Sequence, residues 1–104
     1  MFRANFNNIN LNGLNLQGGS LIKSSCRFTN FNNCNLQDVD FQGSDLTGAT
    51  FVGSNLTGAN FNDCILNNCD FTDAIFENNL PEELTLFSQK YIREDIAQKR
   101  YSNK

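Results

Sequence analysis

The chain has 104 residues, a formal charge of −3, 39% apolar residues and 18% charged ones. A chain this short has room for one small domain with a modest core. It lacks the basic stripe that counterion release from DNA or RNA requires, and no run approaches the ~20 apolar residues of a membrane helix, so neither nucleic acid nor membrane is an expected direct partner.

From the amino end, Met1 to Phe6 read as ordered repeat, with no cationic start, no continuous apolar stretch and no small-residue cleavage site. Charge divides unevenly: residues 1–80 hold three basic and seven acidic groups, residues 81–104 five and four. Most of the polar load is uncharged amide. The cysteines Cys26, Cys34, Cys64 and Cys69 form no CxxC pair, and the chain has no histidine. The expected state is therefore reduced thiols in a cytoplasmic protein, with no metal and no cofactor.

From Phe6 onward a large apolar residue falls on every fifth position: Leu11, Leu16, Leu21, Phe31, Leu36, Phe41, Leu46, Phe51, Leu56, Phe61, Leu66, Phe71 and Phe76, with Cys26 holding the place at 26. Two residues earlier lies a small slot, filled by Ala4, Ser24, Cys34, Ser44, Ala49, Ser54, Ala59, Cys64, Cys69 and Ala74, with Ile9, Leu14 and Val39 as large exceptions. Between them sits a polar slot, mostly Asn or Asp, from which Ile65 and Ile75 depart. Two residues after each large one come turn formers such as Gly13, Asn33, Gly48 and Asp63, which tolerate a bent backbone.

An α-helix advances ~100° per residue, so a spacing of five smears the apolar positions around the cylinder. In a flat strand, residues five apart point to opposite faces. What remains is an all-β solenoid that turns a corner once per five residues and sends the same residue inward each time.

The strings SDLTG at 44–48, SNLTG at 54–58 and ANFND at 59–63 resemble the A(D/N)Lxx unit of pentapeptide-repeat proteins, and the resemblance covers roughly residues 4–78. It implies a right-handed quadrilateral β-helix with four pentapeptides per square coil, so that each residue stacks on the one twenty positions later. About four coils would then form a rod ~18 Å long at ~4.8 Å per coil. The implied core columns put Phe31, Phe51 and Phe71 in one ladder and Phe41 and Phe61 in another. Asn15, Asn35 and Asn55 would form a column suited to amide hydrogen bonds up and down the stack.

The acids Asp38, Asp40, Asp45, Asp63, Asp70, Asp73 and Glu77 never lie twenty apart. That spread argues against a metal site or an acid–base pair on one face, and no catalytic residue is expected.

Pro81 ends the repeat, dividing the chain into a β-helix at 1–80 and a capping helix and tail at 81–104. Glu82 and Glu83 in the first turn, with Lys99 and Arg100 near the last, suit the helix macrodipole. Leu80, Leu84, Phe87 and Tyr91 form one apolar stripe that would lid the final coil, while Leu86, Ile92 and Ile96 face elsewhere.

At the amino end no cap is visible, so Phe6, Leu11, Leu16 and Leu21 would meet solvent, with Phe2, Ile22 and Phe28 as off-pattern apolar residues nearby. Solenoid ends need covering. The expected self-association residues are thus Phe2, Ile22, Phe28, Leu86, Ile92 and Ile96, and the expected assembly is a homodimer.

The function these features favour is a non-catalytic protein-binding or structural scaffold whose protein partner is unknown. The resemblance implies an alternative, since some pentapeptide-repeat proteins mimic duplex DNA and bind DNA gyrase. Mimicry of one charge per 1.7 Å would ask for on the order of ten negative charges along the rod.

Overall fold

Backbone pairing sets the architecture. The structure, a computed structural model, describes residues 3–77. One residue in five pairs in parallel with the residue twenty positions on: Asn5 with Ser25, Ser25 with Asp45, Asp45 with Ile65, and likewise along the columns that begin at Asn10 and Asn15. Four pentapeptides therefore complete one coil, and each coil lies directly on the next. The square cross-section that the resemblance implied is present in the backbone. The expected helix from Pro81 lies outside the described residues.

The hydrogen bonds between coils repeat with the pentapeptide. Around Asn35, its own N–H donates to the Leu14 carbonyl at 3.0 Å, the Leu36 N–H to the Asn55 carbonyl at 2.8 Å and the Asp38 N–H to the Thr57 carbonyl at 2.9 Å. The chain then turns: the Ser44 N–H donates back to the Phe41 carbonyl, and the Ala59 N–H to the Leu56 carbonyl, both at 3.0 Å. A β-turn of this kind requires positive φ at its third residue. Every fifth residue from Arg3 to Asp73 has it, from 53° at Lys23 to 81° at Gly13.

The polar slot fastens each corner from outside. Oδ1 of Asn5, Asn10, Asn15, Asn30, Asn35, Asp40, Asp45, Asn55, Asn60 and Asp70 accepts the main-chain N–H two residues on, at 2.8–3.2 Å. This corrects the expected amide ladder. Asn15, Asn35 and Asn55 do stack, but each Oδ1 serves its own turn, because the N–H two residues on is within reach and needs an acceptor.

At three of the slots that are not Asn or Asp, the coil above supplies that acceptor. Asn7 Oδ1 takes the Arg27 N–H at 2.8 Å in the turn after Ser25, and Asn32 Oδ1 takes the Val52 N–H at 2.8 Å after Thr50. Thr57 Oγ1 takes the Glu77 N–H at 2.9 Å after Ile75.

Inside the square, two phenylalanine columns face each other. Phe31, Phe51 and Phe71 stack nearly parallel, with centroids 5.1 and 5.0 Å apart, and Phe41 stacks on Phe61 at 5.3 Å. Across the core the two columns meet edge to face, at 5.6–6.1 Å and 83–87°. All five rings are buried, and such pairs each contribute ~0.5–1.5 kcal/mol beyond area burial.

The small slot is buried beside them, and its polar atoms are satisfied by the coil above. The hydroxyls of Ser44 and Ser54 donate to the carbonyls of Leu21 and Phe31, and that of Thr29 to Phe6 at 2.7 Å. The thiols of Cys34, Cys64 and Cys69 donate to Leu11, Phe41 and Leu46 at 2.9–3.0 Å. Val39 is buried in a small slot because the register puts Gly19 above it and Ala59 below.

Phe51 touches four other rings, so Phe51→Ala should cost ~3–5 kcal/mol in urea unfolding. Leu11→Ala, at the half-buried end of the same column, should cost clearly less.

Candidate interaction surfaces

Among the described residues no three His, Cys, Asp or Glu side chains gather into a group that could hold a metal. Several of the groups able to do chemistry are engaged in building the coil. Asp45 illustrates this: partial burial opposes its ionisation, but hydrogen bonds from the Thr47 hydroxyl and amide and from Arg27 outweigh that and hold its carboxyl below the ordinary range. Its Oδ2 lies 3.1 Å from Nη1 of Arg27.

Burial disfavours ionisation of three of the four thiols. Burial, helped by the neighbouring Cys64 and Asp45, pushes Cys26 up to about 12. Burial also pushes Cys69 to about 12, against a hydrogen bond from Ala49, and raises Cys34. A nucleophile or metal ligand needs a thiolate, which these surroundings disfavour.

Of the residues expected to mediate association, Phe2, Leu86, Ile92 and Ile96 lie outside the described residues. Ile22 is half-buried. Phe28 is 58% exposed, and it sits at a corner with φ 57°, a conformation that costs a side-chain-bearing residue ~1–2 kcal/mol. Its ring lies across Gly48 one coil on, where an added Cβ would stand 2.5 Å from Cδ1 and Cε1. The glycine thus serves both its own turn and the seating of the ring above.

Three further large apolar side chains are open to solvent: Ile9 at 43%, Leu14 at 46% and Ile65 at 47%. Their signal in the sequence was departure from the slot pattern, since Ile9 and Leu14 occupy small slots and Ile65 a polar one. The register places Ile65 on the side that ends at the Phe28 corner, and Ile9 just past that corner one coil earlier. Phe28 and Ile65 therefore share one edge of the solenoid, while Ile9 and Leu14 belong to the amino-terminal coil.

At the amino end the core is partly covered. Leu21 is buried, and Phe6, Leu11 and Leu16 are half-buried rather than fully exposed, because the inward residues of the coil below pack against them. A cavity of about 380 Å³ remains, lined by Phe6, Leu11, Leu16, Leu21 and Val39.

Gly48→Ala should destabilise more than Gly18→Ala, whose added Cβ would meet nothing within 4 Å. The difference should vanish in a Phe28→Asn background, as a double-mutant cycle by urea unfolding would measure. The thiols give a pH signature. Unfolded Cys26 and Cys69 ionise near 9.0 and the folded ones near 12, so stability present below pH 9 is lost as pH rises through that window. Unfolding at pH ~8 and ~10.5 should show a smaller drop for Cys26→Ala/Cys69→Ala than for the wild type.

The sequence profile for pentapeptide repeats matches residues 1–38 and 34–73, in 8 copies. No curated protein matches the chain. Among solved structures, a pentapeptide repeat protein from the Arabidopsis thaliana thylakoid lumen is similar at 18% identity and a TM-score of 0.56, over 93% of this chain and 86% of that one. A pentapeptide repeat protein from the cyanobacterium Cyanothece 51142 is similar at 19% identity and a TM-score of 0.53, over 74% of this chain and 56% of that one. The chain thus spans little more than half the length of that second relative, and at these identities the likeness is one of fold. With its repeats matched across most of its length and its backbone closing every twenty residues, the chain belongs to the pentapeptide repeat family.

Proposed function

We propose that the protein is a non-catalytic module that works by binding other protein, through apolar groups carried on the outside of a rigid coil. The observation that carries this reading is the contrast between its polar and apolar exceptions. The polar-slot Asn and Asp side chains serve the coil's own turns, whereas Phe28 and Ile65 stand exposed along one edge.

Phe28 serves the fold poorly. A glycine or asparagine would take its φ at lower cost, and an asparagine at 65 would close the turn that Ile65 leaves without an Oδ1 acceptor. Exposed apolar groups kept where the fold prefers something else mark contact surfaces. The cytoplasm is the proposed setting, supported by the absence of any disulfide among the four cysteines, and self-association belongs to the same reading. The DNA-mimic alternative has less support: residues 3–77 carry seven acids against three bases, and Asp45 is already paired with Arg27.

The test replaces Phe28 and Ile65 with the residues that the repeat favours, Phe28→Gly and Ile65→Asn. The unfolding midpoint should hold or rise, while partners captured from the native host by the wild-type chain are lost. Capture of the same partners by both proteins would sink the reading.

A further inference from the structure

The amino-terminal coil departs from the rest in three ways at once. Between Arg3 and Lys23 no residue carries a charge, so Arg3 is the one charge of this coil, whereas Lys23, Arg27 and seven acids are distributed over residues 23–77. Its small slots hold Ile9 and Leu14, both nearly half exposed, where later coils hold Thr29 and Ala49 or Cys34 and Ser54. Among the described residues, the main-chain N–H and C=O of Asn5, Asn10 and Asn15 make no hydrogen bond, whereas the same groups of Ser25, Asn30 and Asn35 all pair with the coil above.

These departures have a common physical content. An unpaired sheet edge is an invitation to further pairing, which proteins normally blunt with charge, proline or a bulge. Among the described residues this edge has neither proline nor bulge, and its one charge, Arg3, sits at a corner. Its two exchanged slots add exposed apolar area to the same coil whose inward residues line the ≈ 380 Å³ cavity, so this end carries both apolar side chains and, at Asn5, Asn10 and Asn15, main-chain groups without partners among the described residues. A helix laid on it would cover the apolar part but leave the main-chain groups unmet, because a helix bonds its own backbone internally. The occupant must therefore be apolar, sparsely charged and edged with extended backbone.

We propose that this occupant is a second copy of the same coil, joined end to end about a two-fold axis. An isologous contact sets a surface against itself, which a face whose one charge sits at a corner permits and a densely charged one resists. A two-fold across the rod makes facing sides antiparallel. A residue with a free N–H and a free C=O on the same edge then exchanges both bonds with its own copy, and an axis crossing the Asn5 and Asn15 sides places these two in that position. Ile9 and Leu14 then lie on the two coils that meet. The proposal rests on the reading that the chain acts by protein binding, but it uses a different surface from the Phe28–Ile65 edge.

Sedimentation equilibrium of the full chain tests it. The wild type should be a dimer at micromolar concentration. Ile9→Lys/Leu14→Lys, which sets like charges against each other, should be monomeric. Ile9→Ser/Leu14→Ala restores the residue types of the later small slots, leaves the melting midpoint unlowered at dimer-dissociating dilution, and should raise the dissociation constant by about 10–100-fold for the lost apolar burial. Phe28→Gly/Ile65→Asn should stay dimeric, so failure of the edge reading and failure of this one are separable. A monomeric wild type, or a dimer that survives both end-face variants, overturns the proposal.

Discussion

The structure depends on one constraint: a main-chain N–H and C=O on each side of the square bond to the coil twenty residues away. Because this register is fixed, a residue type repeated every five positions becomes four vertical columns instead of a scattered set. Burial, aromatic stacking and the satisfaction of small-slot hydroxyls all follow from that alignment. No side is long enough to act as an ordinary strand, so cooperativity must come from the stack and not from any single level.

Each pentapeptide position answers a different physical demand of the coil. The inward residue supplies apolar burial, and the small slot leaves room for it while sending a hydroxyl or thiol to a carbonyl of the coil above. The polar slot closes the turn through Oδ1, and the corner residue takes the positive φ. This division absorbs several of the groups that could have done chemistry, which is why the protein is read through its exceptions. Phe28, Ile65, Ile9 and Leu14 satisfy none of these demands well. The first two lie along the edge of the rod and the last two bear on its amino end, where main-chain groups also lack partners among the described residues.

The five-residue period, the inward set from Phe6 to Phe76, and the glycine-, asparagine- and aspartate-rich corners were legible in residue order alone. Those are local demands, since a corner needs positive φ and a core needs a repeated apolar residue whatever lies above or below. Residue order also marked Ile9, Leu14 and Ile65 as departures without indicating that they would be exposed. How Asn15, Asn35 and Asn55 use their amides emerged from the folded coil, because a turn N–H two residues away competes with the neighbour twenty away and distance settles the choice. The stack also decided that Val39 fits a small slot between Gly19 and Ala59, that Asn7 and Asn32 replace a missing slot acceptor one coil on, and that Gly48 makes room for the ring of Phe28. Each of these depends on what lies directly above or below, and vertical neighbours are set by coil closure, which no five-residue window contains.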